Sequence, residues 1–301
     1  MGGVGCGWAT IISNSLAAIS MLVYLNRSPL YKQFHLLTDW ARPSWRGIRY
    51  ILRIGVPIGF TIFGVGLFKK TVLADGLAPT ANAFFAGVEA GADPTLLEAW
   101  AGALTYTFQI YFDFSGYSDM AVGLACLFGI RLPPNFYSPY RATSIIEFWR
   151  CWHMTLSSWL RDYLYIPLGG NQEGVLSRWR NVFVTMLLGG LWHGASWNFV
   201  LWGGFHGILI AANHAASHFG IRTRPVLGWT LTFFAVMLGW VIFRTTEVDA
   251  AIRIYSGLLG FNGIVLPARL ELLLAGVLDN LPAITFGSSE LARVPAVVFC
   301  G

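Results

Sequence analysis

Asn181-Val-Phe-Val-Thr-Met-Leu-Leu-Gly-Gly-Leu-Trp-His-Gly-Ala-Ser-Trp-Asn198 runs on through Trp202-Gly-Gly-Phe-His206 to Phe219 without one Lys, Arg, Asp or Glu. A helix needs about 20 mainly apolar residues to cross the hydrocarbon of a bilayer, so residues 181–219 have the length for two. A break is predicted near Asn198 or at the glycines beyond it. Composition agrees with the bilayer as solvent. Of 301 residues, 55% are hydrophobic and 12% are charged, against roughly 25% charged in a soluble domain, and the mean hydropathy is +0.57. A soluble globule of this make-up would lack the charged surface that keeps it in solution.

Working outward, further apolar runs lie at residues 8–26, 54–68 (with Pro57), 100–130, 226–243 and 254–267. Together they predict an all-α, polytopic membrane protein with six to eight crossings or re-entrant segments. No cleavable signal peptide is expected, since the first run lacks a basic start. Six bases and one acid (Asp39) occupy residues 27–53, whereas residues 75–98 hold four acids and no base. By the positive-inside tendency the first stretch faces the cytoplasm and the second lies outside. The net charge of +5 comes with no basic face interleaved with aromatics, so nucleic acid is not an expected partner. Cys6, Cys126, Cys151 and Cys300 are too scattered for a metal site or a disulfide framework.

Polar groups inside apolar runs are expensive, about 2.5–3.5 kcal/mol per charge, and usually mark a cavity or a site. Three clusters qualify. In Phe108-Gln-Ile-Tyr-Phe-Asp-Phe-Ser-Gly-Tyr-Ser-Asp119, Asp113 and Asp119 either line a substrate passage or cap a helix start at Asp113 or Ser115. In Pro133-Pro-Asn-Phe-Tyr137 and Glu147-Phe-Trp-Arg-Cys-Trp-His153, continued by Trp159-Leu-Arg-Asp162 and Pro167-Leu-Gly-Gly-Asn171, mixed charge and tryptophan suit an interfacial or re-entrant helix pair. Glu147 and Arg150 have the spacing of an ion pair, and His153 is either catalytic or structural. The third cluster surrounds His193 and includes Trp192, Ser196 and Asn198. Histidine takes and gives a proton near neutral pH, and a neutral imidazole in a desolvated cavity suits proton removal from a hydroxyl attacking an activated carbonyl. His206 is also flanked by apolar residues, and a lone histidine there is more often a satisfied core group.

The ordered motifs Gly66-Leu-Phe-Lys-Lys70, Phe112-Asp-Phe-Ser-Gly-Tyr-Ser-Asp119, Phe148-Trp-Arg-Cys-Trp-His-Met-Thr-Leu-Ser157 and Leu191-Trp-His-Gly-Ala-Ser-Trp-Asn198 resemble the membrane-bound O-acyltransferase family. The resemblance covers about residues 64–262 and is nearest the alginate O-acetyltransferase branch. It implies a ring of tilted and re-entrant helices around a tunnel, with His193 catalytic and His153 as the second characteristic histidine. It further implies acetyl transfer to an exported polysaccharide such as alginate, at the bacterial inner membrane, with periplasmic acetylation proteins as partners. No bound cofactor or metal is expected; the donor is expected to be acetyl-CoA or an acyl carrier. Asp113, Asp119, Arg150, Asp162, Trp192, Ser196 and Asn198 are the candidate substrate-binding residues, with Ser196 or Asn198 orienting His193.

Residues 1–65 resemble instead the multidrug and toxic compound extrusion transporters, and residues 271–301 match nothing we can place. The expected organisation is therefore a transporter-like segment (1–65), an acyltransferase core (66–270) and an unassigned tail (271–301), in a truncated or fused chain. Alternative functions are an inactive membrane scaffold for acetylation partners and a transporter fragment.

Overall fold

A computed structural model describes residues 44–267 except Glu173 and Arg222, together with 284–287 and positions 15, 16, 19, 20, 23 and 27. The expected crossing at 8–26, most of the transporter-like segment, Cys6, Cys300 and most of the tail lie outside the described residues. By their contacts, residues 1–53 and 54–301 form separate units. The first contributes the short helix α1, Trp45–Tyr50; the account below concerns the second.

The second unit is built from α2 (Val56–Phe68), α3 (Asp75–Glu89), α4 (Leu96–Leu127), α5 (Ile145–Cys151), α6 (Met154–Leu160), α7 (Val175–His193), α8 (Trp197–His218), α9 (Pro225–Arg244) and α10 (Val248–Leu258). Two four-residue strands, Ile264–Pro267 and Ile284–Gly287, pair in parallel. Among the described residues three helical stretches are long and apolar enough to cross a membrane: Trp45–Glu89, α8 and α9. That is fewer than the six to eight expected. The 32-residue α4 carries Glu98, Asp113 and Asp119, and the 19-residue α7 carries Arg178 and Arg180. The crossing expected at 254–267 is instead the end of α10, a turn and a strand. Gly260 and Gly263 adopt positive φ there (80° and 81°), a conformation that ends a helix at little cost only with glycine.

Local signals set the helix ends. Glu98 accepts from the Thr95 backbone N–H at 2.9 Å and from the Thr95 hydroxyl at 2.8 Å, starting α4. Ser196 Oγ accepts from the Asn198 N–H at 3.3 Å, which starts α8 and puts the expected break at 194–196. Asp113 lies in the middle of α4, so neither it nor Ser115 caps a helix start.

Packing between helices relies on bare backbone, as it must where lipid offers no hydrophobic drive for association. A Cβ added to Gly66 would lie 2.6 Å from both Gly116 O and Met120 N, and one added to Gly123 would lie 2.6 Å from Phe63 N. Helices α2 and α4 therefore run antiparallel with their backbones in contact. Gly203 meets Met186 in the same way to close α7 against α8. The core proper is aromatic: Phe85, Phe148, Trp152, Trp202 and Trp240 are all buried.

Close approach and open space make opposite predictions for the same residue type. Gly66→Leu is expected to lose about 1–3 kcal/mol through overpacking. Gly64, where an added Cβ meets nothing within 4 Å, is expected to accept alanine with no loss or a gain of about 0.5–1 kcal/mol. Thermal unfolding in detergent checks both, and equal shifts for the two variants would contradict the backbone contact.

Candidate active site around His153 and His193

Apart from a single 3-10 turn at Pro139–Arg141, the segment between α4 and α5 is irregular, so where it is buried its polar groups need partners within the protein. Tyr140 supplies several. Its hydroxyl donates to Thr107 O at 2.6 Å and accepts from Trp240 Nε1 at 3.0 Å, while its carbonyl accepts from Trp229 Nε1 at 2.8 Å. This ties the loop to α4 and α9. Further along, Asn135 O accepts from the Met154 N–H at 2.9 Å, and Tyr137 N–H donates to Cys151 O at 2.9 Å. The junction of α5 and α6 is thereby fixed against the loop.

His153 sits at that junction with φ 44° and ψ 54°, a left-handed conformation uncommon outside glycine. Asn135 explains how it is held. The Asn135 Oδ1 accepts from the Thr155 backbone N–H at 3.3 Å and the Thr155 hydroxyl at 2.9 Å, and lies 3.1 Å from His153 Nδ1. An atom that accepts from a backbone N–H is the amide oxygen, so Nδ1 of His153 must be its donor. The neutral tautomer is then Nδ1–H, and Nε2 carries the free lone pair. Phe114 closes the ring at 4.7 Å, edge to face. Burial, with the neighbouring His193 second, pushes the His153 imidazole down to about 4.

His193 is the last residue of α7, in the turn before Ser196. Its ring is held by other rings: Trp202 at 5.3 Å and Phe243 at 5.2 Å, both nearly perpendicular, with Trp192 at 5.0 Å and Phe199 at 6.2 Å. Such edge-to-face contacts contribute about 0.5–1.5 kcal/mol each. Among the described residues nothing hydrogen-bonds to either ring nitrogen. The expectation that Ser196 or Asn198 orients His193 is therefore corrected. Ser196 caps α8, and Asn198 spends its amide hydrogens on Thr245 O (2.6 Å) and Oγ1 (3.0 Å), binding α8 to the end of α9. Burial holds the His193 imidazole below its ordinary value, and its place at a helix C-terminus, which favours positive charge by about 0.3–1 kcal/mol, works against that.

The remaining candidates are dispersed. Asp119 pairs with Lys69 at 2.7 Å, and Asp113 pairs with Lys70, which also lies 3.3 Å from Asp75. These pairs join α4 to the π-helical segment Lys69–Ala74 that continues α2. Glu147 does not pair with Arg150; it accepts from the Thr143 N–H at 2.7 Å and hydroxyl at 2.8 Å. Arg150 instead lines a cavity with Met154, Met186 and His214. Asp162 pairs with its neighbour Arg161 at 2.7 Å. Trp192 is 64% exposed and touches His193 alone among the candidates. His206 is fully buried and its Nδ1 accepts from Trp149 Nε1 at 3.3 Å, which links α5 to α8 behind the site. Asn135, which organises His153, was absent from the sequence-based set; only its place in Pro133-Pro134-Asn135 marked it.

The arrangement is one half-buried imidazole in an aromatic clamp beside a second whose tautomer is fixed. The sequence profile of the membrane-bound O-acyltransferase family matches residues 30–245, and the chain belongs to that family. The match begins inside the segment compared above with transporters. The chain is 51% identical over 205 residues to a probable alginate O-acetylase of Azotobacter vinelandii, covering 68% of this chain and 40% of that protein. It is 44% identical over 222 residues to a peptidoglycan O-acetyltransferase of Helicobacter pylori, covering 72% and 42%. A teichoic acid D-alanyltransferase of Bacillus subtilis is 30% identical over 153 residues, covering 46% and 39%. The chain spans about two fifths of the length of these relatives.

The low His153 value predicts a pH dependence of stability. In the unfolded chain this imidazole titrates near 6.5, whereas in the folded protein it does so near 4. As pH falls through that interval the unfolded state takes up the proton first, so stability is full above about 6.5 and is lost toward 4. His153→Gln is expected to flatten the fall in unfolding midpoint between pH 7 and 4.5, measured in detergent. An unchanged slope would refute the assignment.

Proposed function

We propose that the protein is a membrane-bound O-acyltransferase that moves an acetyl group onto a hydroxyl of an exported polysaccharide such as alginate. The observation that carries this reading is His193 itself, a half-buried imidazole at a helix C-terminus with both nitrogens uncommitted; His153, whose Nε2 is left unprotonated by Asn135, supports it. The O-acetyl transfer named for its relatives supports the class of reaction.

In this mechanism His193 accepts the proton of the acceptor hydroxyl as that oxygen attacks the carbonyl carbon of the acyl donor. The new C–O ester bond forms, the bond from carbonyl carbon to donor sulfur breaks, and the imidazolium returns its proton to the departing thiolate. General-base help of this kind is worth about 10²–10⁴-fold. His153, with a bare Nε2, serves as an acceptor that positions a donor or acceptor N–H or O–H. The donor is acetyl-CoA or an acylated carrier. A multi-pass setting in a bacterial inner membrane, with periplasmic acetylation proteins receiving or presenting the polymer, completes the proposal. The apolar helices support the membrane part of it.

Acetyl transfer from labelled acetyl-CoA to polymer, measured in membranes containing the protein, tests the base. His193→Ala is expected to lower the rate at least 10²-fold with the protein present at normal abundance. Equal O-acetylation by both proteins would sink the catalytic role.

A further inference from the structure

A cavity of about 510 Å³ lies between α5, α6 and the π-helical segment Arg161–Tyr165 on one side and α7 and α8 on the other. Its size falls in the range of small-molecule sites, about 300–1,000 Å³. One part of its wall is apolar, formed by Ile146, Val182, Met186 and Ile210. Another part carries Arg150, Arg161, His214, Ser157 and Ser158.

The charges on this wall are unbalanced. Arg161 is neutralised by Asp162, but among the described residues no carboxylate pairs with Arg150, and none lines the cavity. Arg178 stands on the face of α7 that lines the cavity, four and seven positions before the lining residues Val182 and Thr185, and like Arg150 it acts electrostatically on the lining residue His214. The buried Nε of Arg178 and Nδ1 of His214 have no hydrogen-bond partner. Buried polar atoms in a folded protein are normally paired, and an anion in this cationic cavity suits both. The cavity also abuts α8, one of the helices long and apolar enough to cross a membrane.

From this charge complementarity we infer that the cavity is a binding site for an anionic phospholipid. The phosphate lies against Arg150 and Arg178, and the first part of one acyl chain runs along Met186 and Ile210. The volume holds a headgroup and the start of a chain, and the rest of the lipid stays in the bilayer. Basic pockets between membrane helices recognise anionic headgroups for the same reason. This site is separate from the acyl-transfer reading and does not depend on it.

Mass spectrometry of the intact protein released from detergent, after titration with dioleoyl phosphatidylglycerol or dioleoyl phosphatidylcholine, tests the inference. One phosphatidylglycerol is expected to bind at least tenfold more tightly than phosphatidylcholine. Arg150→Gln and Arg178→Gln are each expected to reduce that preference about fivefold, from the loss of one cation near a lipid phosphate, while Arg150→Lys keeps most of it. Ile210→Phe, which narrows the apolar end, is expected to weaken phosphatidylglycerol as well, separating the cavity from adhesion elsewhere. Equal uptake of the two lipids, or an unchanged preference in both glutamine variants, would overturn the site. Displacement of phosphatidylglycerol by coenzyme A in an Arg150-dependent manner would assign the cavity to a soluble thioester instead, and would overturn it equally.

Discussion

The hydrogen-bonding demand of the irregular segment between α4 and α5 governs how the site is assembled. Backbone outside a helix cannot satisfy itself, and among apolar helices it has little water to turn to. Tyr140 answers that demand toward Thr107, Trp229 and Trp240, and Asn135 answers it toward Met154 and Thr155. The left-handed turn at His153 follows from these bonds. Strain at a residue of this kind persists only where its surroundings over-determine it, and three contacts to one asparagine oxygen do so here. The loop is thus the device that aims one imidazole, while the helix ending at His193 brings the other.

The charged residues of the apolar helices obey the same economy. Lys69 and Lys70 lie just past the bare-backbone contact of Gly66 with Gly116, and Asp113 and Asp119 flank that contact on α4. Two helices brought this close place opposite charges within reach, and the pairing offsets the cost of holding each charge at membrane depth. Glycine contact and ion pairs are two parts of one seam. Their candidacy as substrate ligands remains a separate matter from the structural work they perform at this seam.

Helical character and the polar clusters were legible in the sequence because each is local, whereas His153 and His193, forty positions apart, were set together only by the family resemblance. Apolar run length marks α8 and α9, and Ser196 three residues after His193 marks the break between α7 and α8. What could not be read depends on distance along the chain. Lys69 meets Asp119, fifty positions away, and Asn198 meets Thr245, forty-seven positions away; no periodicity encodes such partners. Spacing suggested that Glu147 would pair with Arg150, but the free N–H at Thr143, ahead of a helix start, was the stronger attraction for the carboxylate. Asn135 was missed because an asparagine after two prolines reads as an ordinary turn, and its hold on His153 exists only once α5 and α6 are folded back. The short α10 was mistaken for a crossing because its apolar residues continue past Gly260, where the backbone already turns.

The ring clamp around His193 has a kinetic meaning. A base anchored by a hydrogen bond at one nitrogen has a single working tautomer, and a misplaced proton idles it until that proton leaves. An imidazole gripped only by the edges and faces of Trp202, Phe243, Trp192 and Phe199 has no such preference. No hydrogen bond in the clamp selects one tautomer, so a base in the proposed role would start each turnover without a resetting step.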